Sequence, residues 1–316
     1  MTDSPLTPEF IEATNALLYD LQDDGIDSAP LPDRVFHYTD AGGLIGILSS
    51  GTLWGTDFRY LNDSSELGYA FNFAERIVRQ EYLGRYRSGV EAAFLASAAG
   101  DPPAIYTTST PYYLTCFTEL GNSLSQWRAY SRVQGYALEF PGDISTMAGY
   151  EPEGRQNPGL TLLRVEYDAD IQGAYIRGLI ERLLGICDAD HLRDHPEPGT
   201  AVRSFMPFYW AQLERVSYRF KYPDFAVERE WRLVSWGEVH DEKYRTAAIG
   251  IVPYIERTLH AKRHSAYRNV LPITSVRSGP TPNQREARYA LERVLSRHGY
   301  PPAVCQRLSS STPVRL

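Results

Sequence analysis

Four polar and aromatic clusters in this chain carry side chains able to bind or react. The first is Phe36-His37-Tyr38-Thr39. The second is Leu53-Trp54-Gly55-Thr56-Asp57, with Leu61-Asn62-Asp63 and Glu66 close behind. The third runs Cys116-Phe117-Thr118-Glu119, then Ser123-Leu124-Ser125-Gln126-Trp127-Arg128-Ala129-Tyr130, then Gly135-Tyr136-Ala137-Leu138-Glu139-Phe140. The fourth holds Phe225 and Glu228-Arg229-Glu230-Trp231-Arg232. On a strand, Glu228 and Glu230 face the same side, so both carboxylates would look into one cleft. Two like charges there raise one pKa, which suits a proton acceptor for an incoming nucleophile. Arg232 shares that face and could neutralise the pair instead. Each cluster taken singly also reads as structure: His37 as a satisfied core imidazole, the Glu-Arg-Glu-Trp-Arg run as an edge strand with a charged face.

Other chemistries leave no mark. The chain has no G-x-x-x-x-G-K-[ST], no G-x-S-x-G and no H-E-x-x-H, and no G-x-G-x-x-G after a strand. His191 and His195 stand at i and i+4, but in an acidic segment followed by proline, and no metal site is expected there. Cys116, Cys187 and Cys305 are too few and too scattered for a disulfide framework or a zinc site, and suit a reducing cytoplasm as packed thiols.

The elements that must position these clusters follow from periodicity and caps. Thr7-Pro8 opens a helix to about residue 22. A strand over 34–39 runs through Asp40, an N-cap, into a helix that Gly51 ends. Strands are expected at 52–56, 112–118, 135–140, 162–167, 230–235, 247–252 and 270–277, with another in the tail after residue 304. Helices are expected from Ser64 to about 80, over 88–99, 123–130, 170–187, 200–217 and 282–297. Residues 141–160 read as a long loop. Adjacent strands without crossover helices indicate α+β, with a mixed, largely antiparallel sheet and flanking helices. No 20–50-residue period recurs. Residues 1–30 read as an N-terminal helical extension and 31–316 as a single α+β domain.

Composition narrows the partners. With 32 Lys+Arg against 39 Asp+Glu the net charge is −7. Gly 24 and Pro 21 lie near background, which excludes collagen-like and low-complexity chains. No run approaches ~18 apolar residues, so no membrane partner is expected, and MTDSPLTPEF lacks the pattern of a secretory signal. The charge is uneven: residues 1–200 carry −16 and residues 201–316 carry +9. Indiscriminate nucleic-acid binding is therefore not expected, while the charge split does not argue against a local site for an anion in the basic third. The stretch Arg257, Lys262, Arg263, His264 and Arg268, with Tyr254 and Tyr267 interleaved, reads as an anion contact or as a solvated helix face.

In order along the chain, HYT, GLIGIL, GTLWGT, LNDSSE, CFTE, SLSQWRAYS, GYALEF, EREWR, ITSVRSGP and the final S-x-x-PVR resemble the bacterial domain-of-unknown-function family 2971, from about residue 34 onward. That family is in turn similar to ADP-ribosyltransferases, which implies an ADP-ribosyltransferase-like fold and NAD as substrate. The acceptor implied is a protein or a nucleic acid, in a toxin or phage-defence setting. Cleaving the nicotinamide–ribose bond passes through an oxocarbenium-like cation that a carboxylate stabilises. The resemblance assigns that carboxylate to Glu230, the acceptor contact to Glu228, and a ribose contact to His37 with Tyr38 and Thr39 beside it. Tyr130, or Trp127 on the same turn, becomes the aromatic platform for nicotinamide. Trp54, Thr56, Asn62, Ser125 and Arg232 complete the implied NAD contacts. The chain departs from the transferases in lacking a clean Ser-Thr-Ser strand. A nucleotide-sensing or protein-interaction module that keeps the cleft without turnover is the alternative.

Overall fold

Asp40 both ends the first strand and starts the helix after it. Its carboxylate accepts the Gly43 amide at 2.8 Å, satisfying a donor that the helix cannot pair internally. That helix, α2 (Ala41–Ser50), closes at Gly51, whose φ of 67° is the left-handed conformation that glycine adopts without a Cβ penalty. Strands β1 (Arg34–Asp40) and β2 (Leu53–Asp57) flank it. Further along come β3 (Tyr112–Thr118), α5 (Leu124–Tyr130), β4 (Gly135–Pro141), β5 (Thr161–Arg164) and β6 (Glu230–Trp236). The hairpin β7 (Lys243–Ala247) and β8 (Gly250–Arg257), then β9 (Ser275–Ser278), α10 (Gln284–Arg297) and β10 (Gln306–Ser309), complete this part of the chain.

The computed structural model describes residues 7–19, 30–61, 65–85, 88–101, 111–130, 134–147, 160–236, 242–247, 249–259 and 270–311. Asn62, Asp63 and Ser64, and the basic stretch from Lys262 to Arg268, lie outside them.

The ten strands form one sheet in the order β10-β9-β4-β1-β3-β2-β8-β7, with β6 paired to β3 and β5. Among the described strands only β9 and β10 run parallel, and every other pair is antiparallel. The fold is thus mixed α+β with a mostly antiparallel open sheet and flanking helices. One face of the sheet is apolar: Val35, Leu53, Phe117, Leu138, Phe140, Trp231, Leu233 and Val276 pack with Leu44, Ile47 and Leu48 of α2 and Leu291 and Leu295 of α10. Phe117 meets Phe140 edge-to-face at 5.7 Å.

The chain divides into two compact units. The sheet unit comprises Ala29–Asn62, Pro111–Val165 and Phe225–Leu316. The other comprises Met1–Ser28, Asp63–Thr110 and Glu166–Asp224, three segments distant in sequence. It contains α1 (Pro8–Tyr19), α3 (Ser65–Ile77), α4 (Gly89–Ala98), α6 (Ala169–Cys187), α7 (Asp190–Arg193), α8 (Pro198–Arg203) and α9 (Met206–Ser217). The single boundary expected near residue 30 therefore gives way to a division in which α1 packs with later helices. Phe10 of α1 meets the rings of His191 and His195 edge-on at 5.2 and 5.3 Å. Ser88 and Glu91 form a reciprocal capping box at the start of α4. Several expected elements differ: the strand expected over 270–277 begins only at Ser275, the strand expected over 162–167 ends at Arg164, and the helix expected to about residue 80 passes into a π-helical turn after Ile77. The helix expected over 200–217 is broken between Arg203 and Met206, ahead of Pro207. The strand expected over 247–252 spans the end of β7 and the start of β8 across a hairpin turn, with Gly250 at φ 113°. Among the described residues, no helix is long and apolar enough to cross a membrane.

Candidate functional site

Strand β3 has a divided edge. One side pairs along its whole length with β6, from Tyr112 opposite Trp236 to Thr118 opposite Glu230. The other side pairs with β1 at Phe36–Thr118 and with β2 at Thr56–Leu114 and Asp57–Tyr113. Between these contacts two side chains take the place of ladder bonds. His37 Nδ1 lies 2.9 Å from the Cys116 carbonyl, and the Thr115 hydroxyl donates to the Trp54 carbonyl at 3.0 Å. A carbonyl only accepts, so Nδ1 of His37 carries the proton and Nε2 is left as an acceptor. Burial lowers the His37 pKa, against the opposing effect of that hydrogen bond. The ring meets Phe117 at 5.7 Å, on the apolar face.

His37 thus ties β1 to β3, and its depressed pKa links it to stability. Unfolding restores an imidazole of ordinary pKa, near 6.5, so below that value the unfolded chain binds a proton that the folded chain refuses. Stability is expected to fall as pH drops through 6.5, by at most about 1.4 kcal/mol per pH unit. Urea melts at pH 7 and pH 5 check this: the His37→Gln variant, which keeps an N–H for Cys116, should lose less stability than wild type. Equal losses in both proteins would remove His37 as the cause.

Glu230 and Arg232 lie on the opposite face. Alternation and register place Phe36, Thr118 and Glu230 in one row pointing one way, with Cys116 and Arg232 in the next. His37, Phe117 and Trp231 point the other way. Arg232, 1% exposed, grips the Glu230 carboxylate in a fork: Nε to Oε1 at 2.9 Å and Nη2 to Oε2 at 3.1 Å. Glu228 departs from expectation. The strand begins only at Glu230, and Glu228 ends a 3-10 turn over Pro223–Glu228. Arg229 between them has φ 44°, a left-handed conformation that costs a non-glycine residue about 1–2 kcal/mol. Pairing with β3 holds it there: the Thr118 hydroxyl donates to the Glu228 carbonyl at 2.6 Å, and the Glu119 amide to the Arg229 carbonyl at 3.2 Å. With the chain turned at Arg229, the strand-face argument for Glu228 no longer applies.

An aromatic cluster occupies the same face as Glu230. Tyr38 meets Trp127 at 4.5 Å, and these pack with Phe36 and Ala137; Tyr130 lies against them. The Tyr38 hydroxyl donates to the Leu120 carbonyl at 2.7 Å and accepts the Ser123 amide at 3.0 Å. Burial pushes its pKa up to about 12, so it stays a neutral phenol. The Trp127 indole donates to Asn122 at 3.0 Å. Ser125 is exposed and bonded to Ser123 at 2.8 Å. Thr39 shares the face of His37 and abuts Gly43, where a Cβ would come within 1.9 Å of its hydroxyl oxygen.

Trp54 and Thr56 reach the Glu230 face from β2, since Thr56 sits opposite Leu114 and Leu114 opposite Val234. They meet two residues that the sequence did not single out together. Trp54 packs against Tyr254 at 4.7 Å, and Arg245 Nη2 donates to the Thr56 hydroxyl at 3.0 Å. The signal for Arg245 was the alternation Lys243-Tyr244-Arg245 ahead of Gly250, half of a hairpin.

One face therefore gathers Tyr38, Trp54, Thr56, Trp127, Tyr130, Glu230 and Arg232. His37 and Thr39 stand on the other, Glu228 leaves the strand, and Asn62 lies outside the described residues. Among the described residues, no group of three or more His, Cys, Asp or Glu side chains is placed to hold a metal ion. No family model, no curated protein and no solved structure matches the chain.

Proposed function

We propose that the Glu230 face of the sheet binds NAD and transfers its ADP-ribose to a protein or nucleic-acid acceptor, as the resemblance to family 2971 and the ADP-ribosyltransferases implies. The observation that carries this is the shared face of a buried, oriented carboxylate and an aromatic cluster two strands away, about 10 Å across the sheet. In this chemistry the nicotinamide ring stacks on Tyr130 or Trp127. The glycosidic C–N bond breaks with its electron pair leaving on nicotinamide, and the Glu230 carboxylate stabilises the cationic ribose. The acceptor's nucleophile then bonds to the anomeric carbon and gives up its proton to Glu228 or to water. His37 has a positioning role, holding β1 on β3, and no part in holding the ribose.

Glu230→Gln is expected to lower nicotinamide release from NAD by at least about 100-fold, the usual effect of removing a transition-state electrostatic partner. Chromatographic assay of nicotinamide checks this, with circular dichroism at the assay temperature to establish that the variant is folded. A folded Glu230→Gln protein with wild-type turnover sinks the proposal, as does a wild type that neither binds nor cleaves NAD.

The two-pronged grip of Arg232 on Glu230 favours a second reading. A carboxylate committed to an arginine is a structural element, and the face then serves a nucleotide-sensing module without turnover. Its mark is calorimetric binding of NAD or ADP-ribose with no product formed.

A further inference from the structure

At the far end of the sheet, β2, β8 and β7 present one face on which donors outnumber acceptors. Thr56, Tyr254 and Lys243 form one row across the three strands; Trp54 stands opposite Glu256, and Arg245 opposite Val252. Glu256 is the one carboxylate at these positions, and Lys243 takes it at 2.9 Å. Arg245 is half-buried, and burial lowers its pKa. Among the described residues it makes no ion pair. Its one bond to a side chain goes to the Thr56 hydroxyl oxygen, which leaves the hydroxyl hydrogen free to donate. Its Nε is buried without a partner, and so is the indole Nε1 of Trp54. A half-buried cation without an anion and a buried N–H without an acceptor both cost stability, and such groups in a native protein call for a reason. A ligand oxyanion held by the Arg245 guanidinium and the Thr56 hydroxyl, both donors, would supply the missing counter-charge.

The neighbouring rings specify more. Trp54 and Tyr254 meet at 4.7 Å, tilted by 35°, and Trp54 keeps part of its surface exposed. Aromatic side chains of this kind take nucleobases by stacking, whatever the base. We infer that this face binds a nucleoside phosphate, its phosphate held by Arg245 and Thr56 and its base stacked on Trp54. Trp54 and Thr56 are among the NAD contacts that the resemblance implies, so the site rests on that reading of the face and specifies its phosphate and base contacts; it uses none of the Glu230 chemistry and stands whether or not NAD is cleaved. The phosphate can belong to a free nucleotide or to a nucleic-acid strand; the chemistry is shared.

Titration calorimetry on the full chain tests it, with ADP, adenosine and a short single-stranded RNA as probes. ADP is expected to bind at least tenfold more tightly than adenosine. Arg245→Met should lose at least tenfold of the ADP affinity while its melting temperature, measured without ligand, holds or rises by about 2 °C, because an unpaired cation has been removed. Trp54→Ala, which removes the stacking ring, should bind ADP severalfold more weakly. RNA bound more tightly than ADP names the strand as the source of the phosphate, and the reverse names the free nucleotide. ADP bound no better than adenosine, or full ADP affinity in Arg245→Met, overturns the site. So does a melting temperature that falls by several degrees in that variant, which would make Arg245 a structural residue.

Discussion

Arg232→Ala is expected to destabilise the sheet unit by about 3–5 kcal/mol, a fall of about 10 °C in melting temperature. Arg232 is among the largest fully buried side chains, and both of its bonds to Glu230 run through the guanidinium fork. Removing it takes the forked cation contact from the Glu230 carboxylate, which is only 7% exposed. The cost comes from taking the bidentate partner away from a largely buried carboxylate more than from the lost attraction, since a buried pair contributes little net stability when intact. Arg232→Lys tests the geometry: lysine keeps the charge but offers one point where arginine offers two, so it should recover less than half of the loss. Thermal and urea melts followed by circular dichroism measure both variants. A loss below about 1 kcal/mol for Arg232→Ala would mean that water or another group reaches the carboxylate. The same result bears on function, because a carboxylate that stays ordered without Arg232 is not positioned by it.

Gly142→Ala should be nearly as damaging. Gly142 follows β4 where the chain crosses the approach to β1, and its amide donates to the Asp33 carbonyl at 3.1 Å. A Cβ at this position would lie 1.5 Å from the Pro32 carbonyl oxygen and 2.6 Å from the Pro32 carbonyl carbon. Both are backbone atoms, so no rotamer change relieves the overlap; the crossing itself must open. That opening disturbs the β1–β4 ladder from its first pair, Arg34 opposite Pro141, inward to His37 opposite Leu138. A loss of about 3 kcal/mol, the upper part of the range for overpacking, is expected in urea melts. Little loss would show that the segment around Pro32 shifts freely and does not pin β1.

Much of the local structure is legible without coordinates. Asp40 and Gly51 delimit α2 as their chemistry requires, and β1, β3, β4, β6 and α10 lie within a residue or two of expectation. Each depends on short-range rules: a cap, a two-residue or 3.6-residue period, a turn residue. The failures share one character. The strand expected over 247–252 joined the two arms of the β7–β8 hairpin, since apolar residues on both sides of a turn look like one run. A period of two extended back past Arg229 sets Glu228 on the face of Glu230, but the φ of 44° at Arg229 ends the strand. That conformation is held by Thr118 and Glu119, more than a hundred residues earlier, and nothing local announces it.

The sequence by itself determined the fold class, the alternation that puts Glu230 and Arg232 on one face, and the stock of aromatic and polar groups available to a site. Those follow from backbone geometry and side-chain chemistry, which act over a few residues. Tertiary structure decided the rest. Pairing of β1 and β6 on opposite edges of β3 set His37 and Glu230 on opposite faces, and a one-residue difference in that register would have set them together. It also made Arg232 the partner that holds Glu230, and brought Arg245 to Thr56 across 189 positions of sequence. Register and long-range pairing are properties of the assembled sheet, which is why the charge split alone names no residues, while the β2–β8–β7 pairing sets Arg245 against Thr56.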